Sequence, residues 1–215
     1  MTIPRREPPE AFEPRSARPG PLGTVALVAG ALGLAAATAK GRGRAADDRI
    51  FKFVNSALQH PALDRFFKGL TELGSLYASG AAAAAMAISG KRREALDAAG
   101  AATLTWLVGQ GLKQAWRRNR PFQSEAPFRL LIGRPRGTSW PSSHPMVLLA
   151  FVTVAARNLE LSKGLRAALT GLAGGVAASR VYLGVHYPAD VAGGMLLGRA
   201  CADLWSRSVS RPVLG

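Results

Sequence analysis

Residues 179–190 read Ser179-Arg180-Val181-Tyr182-Leu183-Gly184-Val185-His186-Tyr187-Pro188-Ala189-Asp190. The stretch gathers a guanidinium, an imidazole and a carboxylate in a chain of 215 residues that holds only 3 histidines and 13 acidic residues. Pro188 suits the first turn of a helix, where its missing N–H is not needed, so the segment reads as a loop entering a helix just after Tyr187. Asp190 then falls in that first turn, with His186 just before it. At this spacing the carboxylate accepts a hydrogen bond from one ring nitrogen and leaves the other free, as in a nucleophile or base held by a carboxylate. A capping Asp and a satisfied loop His account equally well for this stretch taken alone.

Two further stretches shift the balance. Lys113 and Arg120 are spaced almost two helical turns apart, which predicts that both lie on one helix face before Pro121 ends the helix. Pro141-Ser142-Ser143-His144-Pro145 reads as a second loop-to-helix junction, with hydroxyl residues where N-caps belong. Free N–H groups at such a helix start favour an anion. Lys113, Arg120 and Arg180 with His144, His186 and one helix N-terminus describe a pocket for a tetrahedral oxyanion.

Lys113-x6-Arg120-Pro121, Pro141-Ser142-Ser143-His144 and Ser179-Arg180-x5-His186-x3-Asp190 together resemble the three-part signature of the type 2 phosphatidic acid phosphatase (PAP2) superfamily, in its bacterial membrane lipid phosphatase branch. Order and internal spacing agree. One position departs: the family usually has Gly where this chain has Ser143, whose side chain is expected to narrow the pocket. The resemblance implies catalytic roles for His186, His144 and Asp190, and phosphate binding by Lys113, Arg120, Arg180 and the N–H groups around Ser142 and Ser143. In that scheme His186 attacks phosphorus to form a phosphohistidine, Asp190 holds its tautomer, and His144 protonates the leaving oxygen and then activates water. Three cations do the work of a metal, so no metal and no cofactor are expected.

The rest of the chain fits an all-α, polytopic membrane bundle. A formal charge of +15, a pI near 11.4 and 48% hydrophobic residues allow a basic soluble domain or a membrane protein with charged margins. The uncharged runs at residues 22–39 and 73–90 decide for the membrane and argue against a nucleic-acid binder. About six spans are expected, near residues 22–39, 73–90, 95–113, 144–156, 165–183 and 188–205, with an amphipathic segment inside residues 40–72 at the membrane surface or across the bundle. The last three are weak by hydropathy, Arg199 and Asp203 lying inside the sixth, and rest on the motifs they carry. Residues 1–20, rich in Pro, Arg and Glu, are expected to be a disordered tail without a signal-peptide pattern. Residues 21–208 then form the PAP2-like domain and 209–215 a short C-terminal tail.

Lys91-Arg92-Arg93 marks a cytoplasmic turn, which puts the motifs at the extracytoplasmic face of the cell membrane. Arg129, Arg134 and Arg136 in the loop of residues 122–140 break that charge rule, so they either meet anionic head groups or are simply solvated. His60 and Asp64 repeat the His-to-Asp spacing outside the three motifs and read as structural. Gly171, Gly174 and Gly175, and the pair Gly194 and Gly198, are expected to allow close helix packing. Cys201 is alone, so no intrachain disulfide exists.

The expected partner is a membrane lipid carrying a phosphate or diphosphate head group: a polyprenyl diphosphate or related phospholipid, with phosphatidate and phosphatidylglycerophosphate as alternatives. The Ala-, Gly- and Arg-rich composition points to a GC-rich bacterial genome and keeps a polyprenyl-phosphoryl-sugar phosphate among the candidates. A lipid-binding protein with a degenerate pocket is the non-enzyme reading, and Ser143 is the residue that favours it.

Overall fold

The computed structural model describes residues 20–124 and 128–209. The expected tails therefore lie outside the described residues, apart from Gly20 and Val209. Eight α-helices follow in order: α1 Pro21–Ala37, α2 Gly41–Lys52, α3 Pro61–Glu72, α4 Leu76–Ile88, α5 Arg92–Ala115, α6 Ser143–Asn158, α7 Lys163–Tyr182 and α8 Pro188–Ser208. A π-helical turn, Phe53–Ala57, extends α2, and a 3-10 turn, Pro121–Gln123, follows α5. The described residues contain no strand.

The starts of these helices follow from local chemistry. Pro21, Pro61 and Pro188 open α1, α3 and α8, where no N–H is missed. Ser75 Oγ accepts from the Ala78 N–H at the start of α4, and Ser162 Oγ from the Leu165 N–H at the start of α7. His60 caps α3 in the same way, its Nδ1 accepting from the Ala62 N–H. That use, with Asp64 taken up by Tyr182 and Arg129, makes the His60–Asp64 pair structural.

α6 is the centre of the bundle, touching α4, α5, α7 and α8. Pro145 to Val152 and Val154 to Ala156 are buried without interruption of face, which is the pattern of a helix surrounded by others. The helix expected from residue 144 to 156, weak by hydropathy, is thus enclosed by four others. α8 lies against α6 through glycine: a methyl group at Gly194 would come within 2.5 Å of the Ser142 carbonyl oxygen, and one at Gly198 within 2.4 Å of that of Met146. In α7 the expectation needs correcting. Gly171 and Gly174 have no neighbour within 4 Å of an added methyl, and only Gly175 meets one, Leu70 at 3.3 Å.

Charge inside α8 is also explained by packing. Asp203 is buried and pairs with Arg157 of α6 and Arg199 of its own helix, and Arg157 also donates to Ser206. Nearby, Asp97 accepts from Asn158 and from the Trp205 indole. This polar cluster lies at the end of the bundle away from Lys113, because α5 runs from Arg92 to Ala115.

Among the described residues no single helix is long and apolar enough to cross a membrane, and one bent pair, α1 with the helix of residues 41–57 at 93°, passes such a test. α1 and α4, at 17 and 13 residues, are shorter than the uncharged runs that contain them. At 1.5 Å per residue they span about 26 and 20 Å, against a hydrocarbon layer of about 30 Å. The amphipathic segment expected within residues 40–72 is three pieces, α2, the π turn and α3, and α3 packs against α7.

Candidate active site

The loop between α7 and α8 is shaped by Gly184 at φ +83, a left-handed conformation that an L residue enters with strain. It allows both the Val185 and His186 N–H groups to return to the Arg180 carbonyl, at 3.2 and 3.3 Å. The Arg129 carbonyl also approaches here, 2.1 Å from where a Cβ would stand. Asn55 secures this contact, donating to the carbonyls of Arg129 and Tyr182 and accepting from the Arg129 N–H, all at 2.8 Å. Arg129 itself pairs with Asp64 at 2.7 Å, which removes it from the basic residues offered to a head group.

His186 is 2% exposed. Its Nε2 lies 3.2 Å from Arg120 Nη1, and its Nδ1 lies 3.4 Å from Ser139 Oγ and 3.6 Å from Asp190 Oδ2. A guanidinium has donors only, so Nε2 must be the nitrogen with the lone pair and the ring proton belongs on Nδ1. That proton points at Ser139 Oγ, which in turn donates to Asp190 Oδ2 at 2.5 Å. The expected direct His186–Asp190 bond is therefore largely relayed through Ser139. Burial, then Arg120, Lys113, Arg180 and His144, hold the imidazole well below its ordinary pKa, which favours the neutral ring with its Nε2 lone pair turned to Arg120.

Asp190 is fully buried and held on every side. It accepts from Arg118 Nη1 at 2.8 Å, from the Tyr187 N–H at 2.8 Å and from Ser139. Arg118 Nη2 reaches on to Asp47 of α2 at 2.5 Å, and Asp47 accepts from the Ala189 N–H at 2.9 Å. Asp47, Arg118 and Ser139 were not singled out by sequence reasoning. Arg118 lies inside the Lys113-to-Arg120 spacing, but its partners come from α2 and α8, and nothing local announces them.

The cations expected to bind phosphate also staple the loops. Lys113 Nζ donates to the carbonyls of Thr138 and Pro141, at 3.1 and 2.7 Å. Arg120 donates to the carbonyls of Gly137 and Val185, at 2.9 and 3.0 Å. The expectation that Arg120 shares a helix face with Lys113 needs correcting: α5 ends at Ala115, and Arg120 comes back in an extended loop, the conformation that Pro121 imposes on its predecessor. Arg180 Nη1 donates to Thr71 Oγ1 of α3 at 2.7 Å, while its Nε is buried without a partner.

At the start of α6 the backbone donors differ from expectation at one residue. The Ser142 N–H donates to the Asp190 carbonyl at 3.0 Å, so that group is spent on the fold. Ser143 and His144 begin the helix, where N–H groups have no intrahelical acceptor. The hydroxyls of Ser142 and Ser143 are buried without a partner, and Ser143 Oγ faces Gly109 of α5. Gly74, before α4, lies against His144: a methyl there would stand 2.8 Å from its Cβ. His186, His144, Lys113, Arg120 and Arg180 are thus one electrostatic cluster at one end of the bundle, with Asp190 behind it.

Two imidazoles and three cations thus share one end of the bundle with the helix-start donors of α6, an arrangement whose chemistry suits a tetrahedral oxyanion. Residues 94–213 match the pattern of the PAP2 superfamily, and the chain belongs to that family. The fold is similar to that of a transmembrane PAP2 type phosphatidylglycerolphosphate phosphatase from Bacillus subtilis, with a TM-score of 0.70 and 25% identity over 90% of this chain and 99% of that one. It is also similar to Aquifex aeolicus LpxE, with a TM-score of 0.67 and 26% identity over 74% of this chain and 93% of the other. In sequence, decaprenylphosphoryl-5-phosphoribose phosphatase of Mycobacterium tuberculosis is 34% identical over 114 residues, 53% of this chain, and the chain spans 60% of that relative's length. An undecaprenyl-diphosphatase of Sulfolobus acidocaldarius is 35% identical over 94 residues, 43% of this chain and 44% of that protein.

Proposed function

We propose that this protein is an integral membrane phosphatase that hydrolyses the terminal phosphate of a polyprenyl-linked phosphate, either a diphosphate or a phosphoryl-sugar phosphate. The observation that carries this reading is His186, buried, with Nε2 3.2 Å from Arg120 and with Lys113 and Arg180 near enough to help lower its pKa. Phosphatases of both polyprenyl kinds are among its relatives. Phosphatidylglycerophosphate is the second reading, favoured by the fold shared with the Bacillus enzyme.

Nε2 of His186 attacks the terminal phosphorus, the bond to the leaving oxygen breaks, and His144 gives that oxygen a proton. The phosphohistidine keeps its proton on Nδ1, where the new positive charge faces Ser139 and Asp190. His144 then takes a proton from water, whose oxygen attacks phosphorus and breaks the N–P bond to release phosphate. Lys113, Arg120 and Arg180 balance the charge on the three equatorial oxygens, and loss of one such donor lowers the rate by about 10²–10³.

Membrane placement is supported by the apolar residues turned outward. Leu22, Val25 and Leu32 of α1 and Leu104, Leu107 and Val108 of α5 are each more than a third exposed, a distribution that suits lipid rather than water. The basic stretch Lys91-Arg92-Arg93 opens α5 and Lys113 stands in its last turn, about 32 Å away at 1.5 Å per residue. With that basic stretch in the cytoplasm, the site faces the extracytoplasmic interface of a multi-pass bundle.

The test is phosphate release by detergent-purified protein from a polyprenyl-phosphoryl-pentose phosphate, undecaprenyl diphosphate and phosphatidylglycerophosphate, beside His186→Ala. Release that is lost in the variant, with an acid-labile, base-stable phosphoenzyme trapped in the wild type, is expected. No release from any of these lipids by folded protein defeats the reading.

A further inference from the structure

A cationic cavity of about 320 Å³ lies beside the candidate site and holds neither of its histidines. It opens between the α1–α2 bend and the loop after α5, and is lined by Arg44, Trp116, Arg117, Arg118, Gln123 and Tyr187 among others. No acidic residue and no imidazole is part of its wall. Arg44 is matched by Asp48 at 3.0 Å and donates to the Tyr187 hydroxyl at 2.7 Å. Arg118 is matched by Asp47 and Asp190, yet its Nε is buried with no acceptor, an unusual state for a charged donor. Arg117 is exposed and has no carboxylate partner among the described residues. Three guanidiniums therefore line this space, and one of them, Arg117, has no carboxylate in contact among the described residues.

We infer that this cavity binds a phosphodiester anion at the membrane surface, separately from the reacting phosphate. Guanidinium forks match phosphate oxygens in pairs, and a single negative charge balances the unmatched Arg117. The wall offers no nucleophile comparable to His186, since Ser124, which also lines it, has its hydroxyl committed to the Pro121 carbonyl. A ligand here is held and not cleaved. The cavity sits at the Lys113 end of the bundle, where α1 ends in Ala37 and α5 in Ala115, which is the level of lipid head groups in the placement proposed above. The phosphodiester can belong to a neighbouring anionic lipid or to the linkage between the tail and the sugar of a long substrate. The inference rests on that membrane placement and not on hydrolysis.

Equilibrium dialysis of the whole protein in nonionic detergent, with short-chain phosphatidylglycerol and separately with glycerophosphoglycerol, tests it. Neither probe carries a terminal phosphate, so failure of the phosphatase reading leaves the result intact. Wild-type protein is expected to bind one equivalent, weakening with salt, and Arg117→Gln to bind about tenfold or more weakly. Arg180→Gln, which alters the candidate active site only, is expected to bind as wild type. Binding of both probes means that the head-group chemistry suffices, and binding of the lipid alone means that a lipid is the ligand. No binding by wild type, equal binding by Arg117→Gln, or an equal loss in Arg180→Gln overturns the inference.

Discussion

Arg118 donates to Asp190 Oδ1 at 2.8 Å while its other terminal nitrogen holds Asp47 Oδ2 at 2.5 Å, so one buried guanidinium keeps two carboxylates in place. Through Asp190 and Ser139 this chain of charge ends on the Nδ1 side of His186. It ties α2, the loop after α5 and the start of α8 into one unit behind the reacting nitrogen.

Arg118→Gln leaves Asp47 and Asp190 facing each other without a cation. Removing one member of a buried ion pair costs about 3–5 kcal/mol, so the unfolding midpoint in detergent falls. Asp190 also loses the donor that fixes it, and kcat is expected to fall by about 10²-fold as His186 drifts from the line of attack. Adding Asp47→Asn removes one of the two opposed charges and restores part of the midpoint. A double variant no more stable than the single one counts against the bridge.

Ser139→Ala isolates the relay. The hydroxyl touches both His186 Nδ1 and Asp190 Oδ2 but lies away from Nε2, so substrate binding is untouched while the imidazolium of the phosphoenzyme loses its neighbour. The expected result is a kcat about tenfold lower, in the range of a lost neutral-to-charged hydrogen bond of about 1.5 kcal/mol, with KM nearly unchanged. An unchanged kcat means that His186 works against Asp190 directly.

How much of this was legible follows from the reach of each signal. The three motifs were, because a histidine four residues before an aspartate, at a proline-opened helix, can be read from local spacing. The path of Arg120 was not, because the seven-residue spacing from Lys113 mimics a helix face, whereas α5 stops at Ala115 and the chain returns through a loop. Arg118, Ser139 and Asp47 were silent, since each acquires its role from a partner far along the chain. The glycines divide in the same way. Gly194 and Gly198 face backbone of α6 and its start, while Gly171 and Gly174 of the same composition face open space.

The pH profile reports the cation wall. His186 acts as a nucleophile in its unprotonated form, and its folded pKa is lowered, so activity persists as pH falls below the usual imidazole range near 6.5. After burial, Arg120 is the largest contributor to that lowering. Arg120→Gln relieves part of it, raises the pKa, and so moves the acidic limb of kcat/KM to higher pH, beside a rate loss of about 10²-fold or more. A limb that stays in place, measured on the residual activity, separates Arg120 from the titration of His186.

Substitution of glycine tests the packing of α8 on α6. At Gly198 an added methyl meets the Met146 carbonyl oxygen at 2.4 Å and its Cα at 2.9 Å, both backbone atoms that move only if the helices part. Gly198→Ala is therefore overpacked, at a cost of about 1–3 kcal/mol or more, and because Met146 lies in the first turn of the helix that carries His144, activity falls with stability. At Gly171 no atom lies within 4 Å of the new methyl, and Ala is the better helix former by about 1 kcal/mol. Gly171→Ala is expected to hold or raise the unfolding midpoint in detergent at full activity. The same change of one hydrogen to a methyl, in two helices of one bundle, should thus act with opposite sign; equal midpoints for the two variants would place the α6–α8 contact elsewhere.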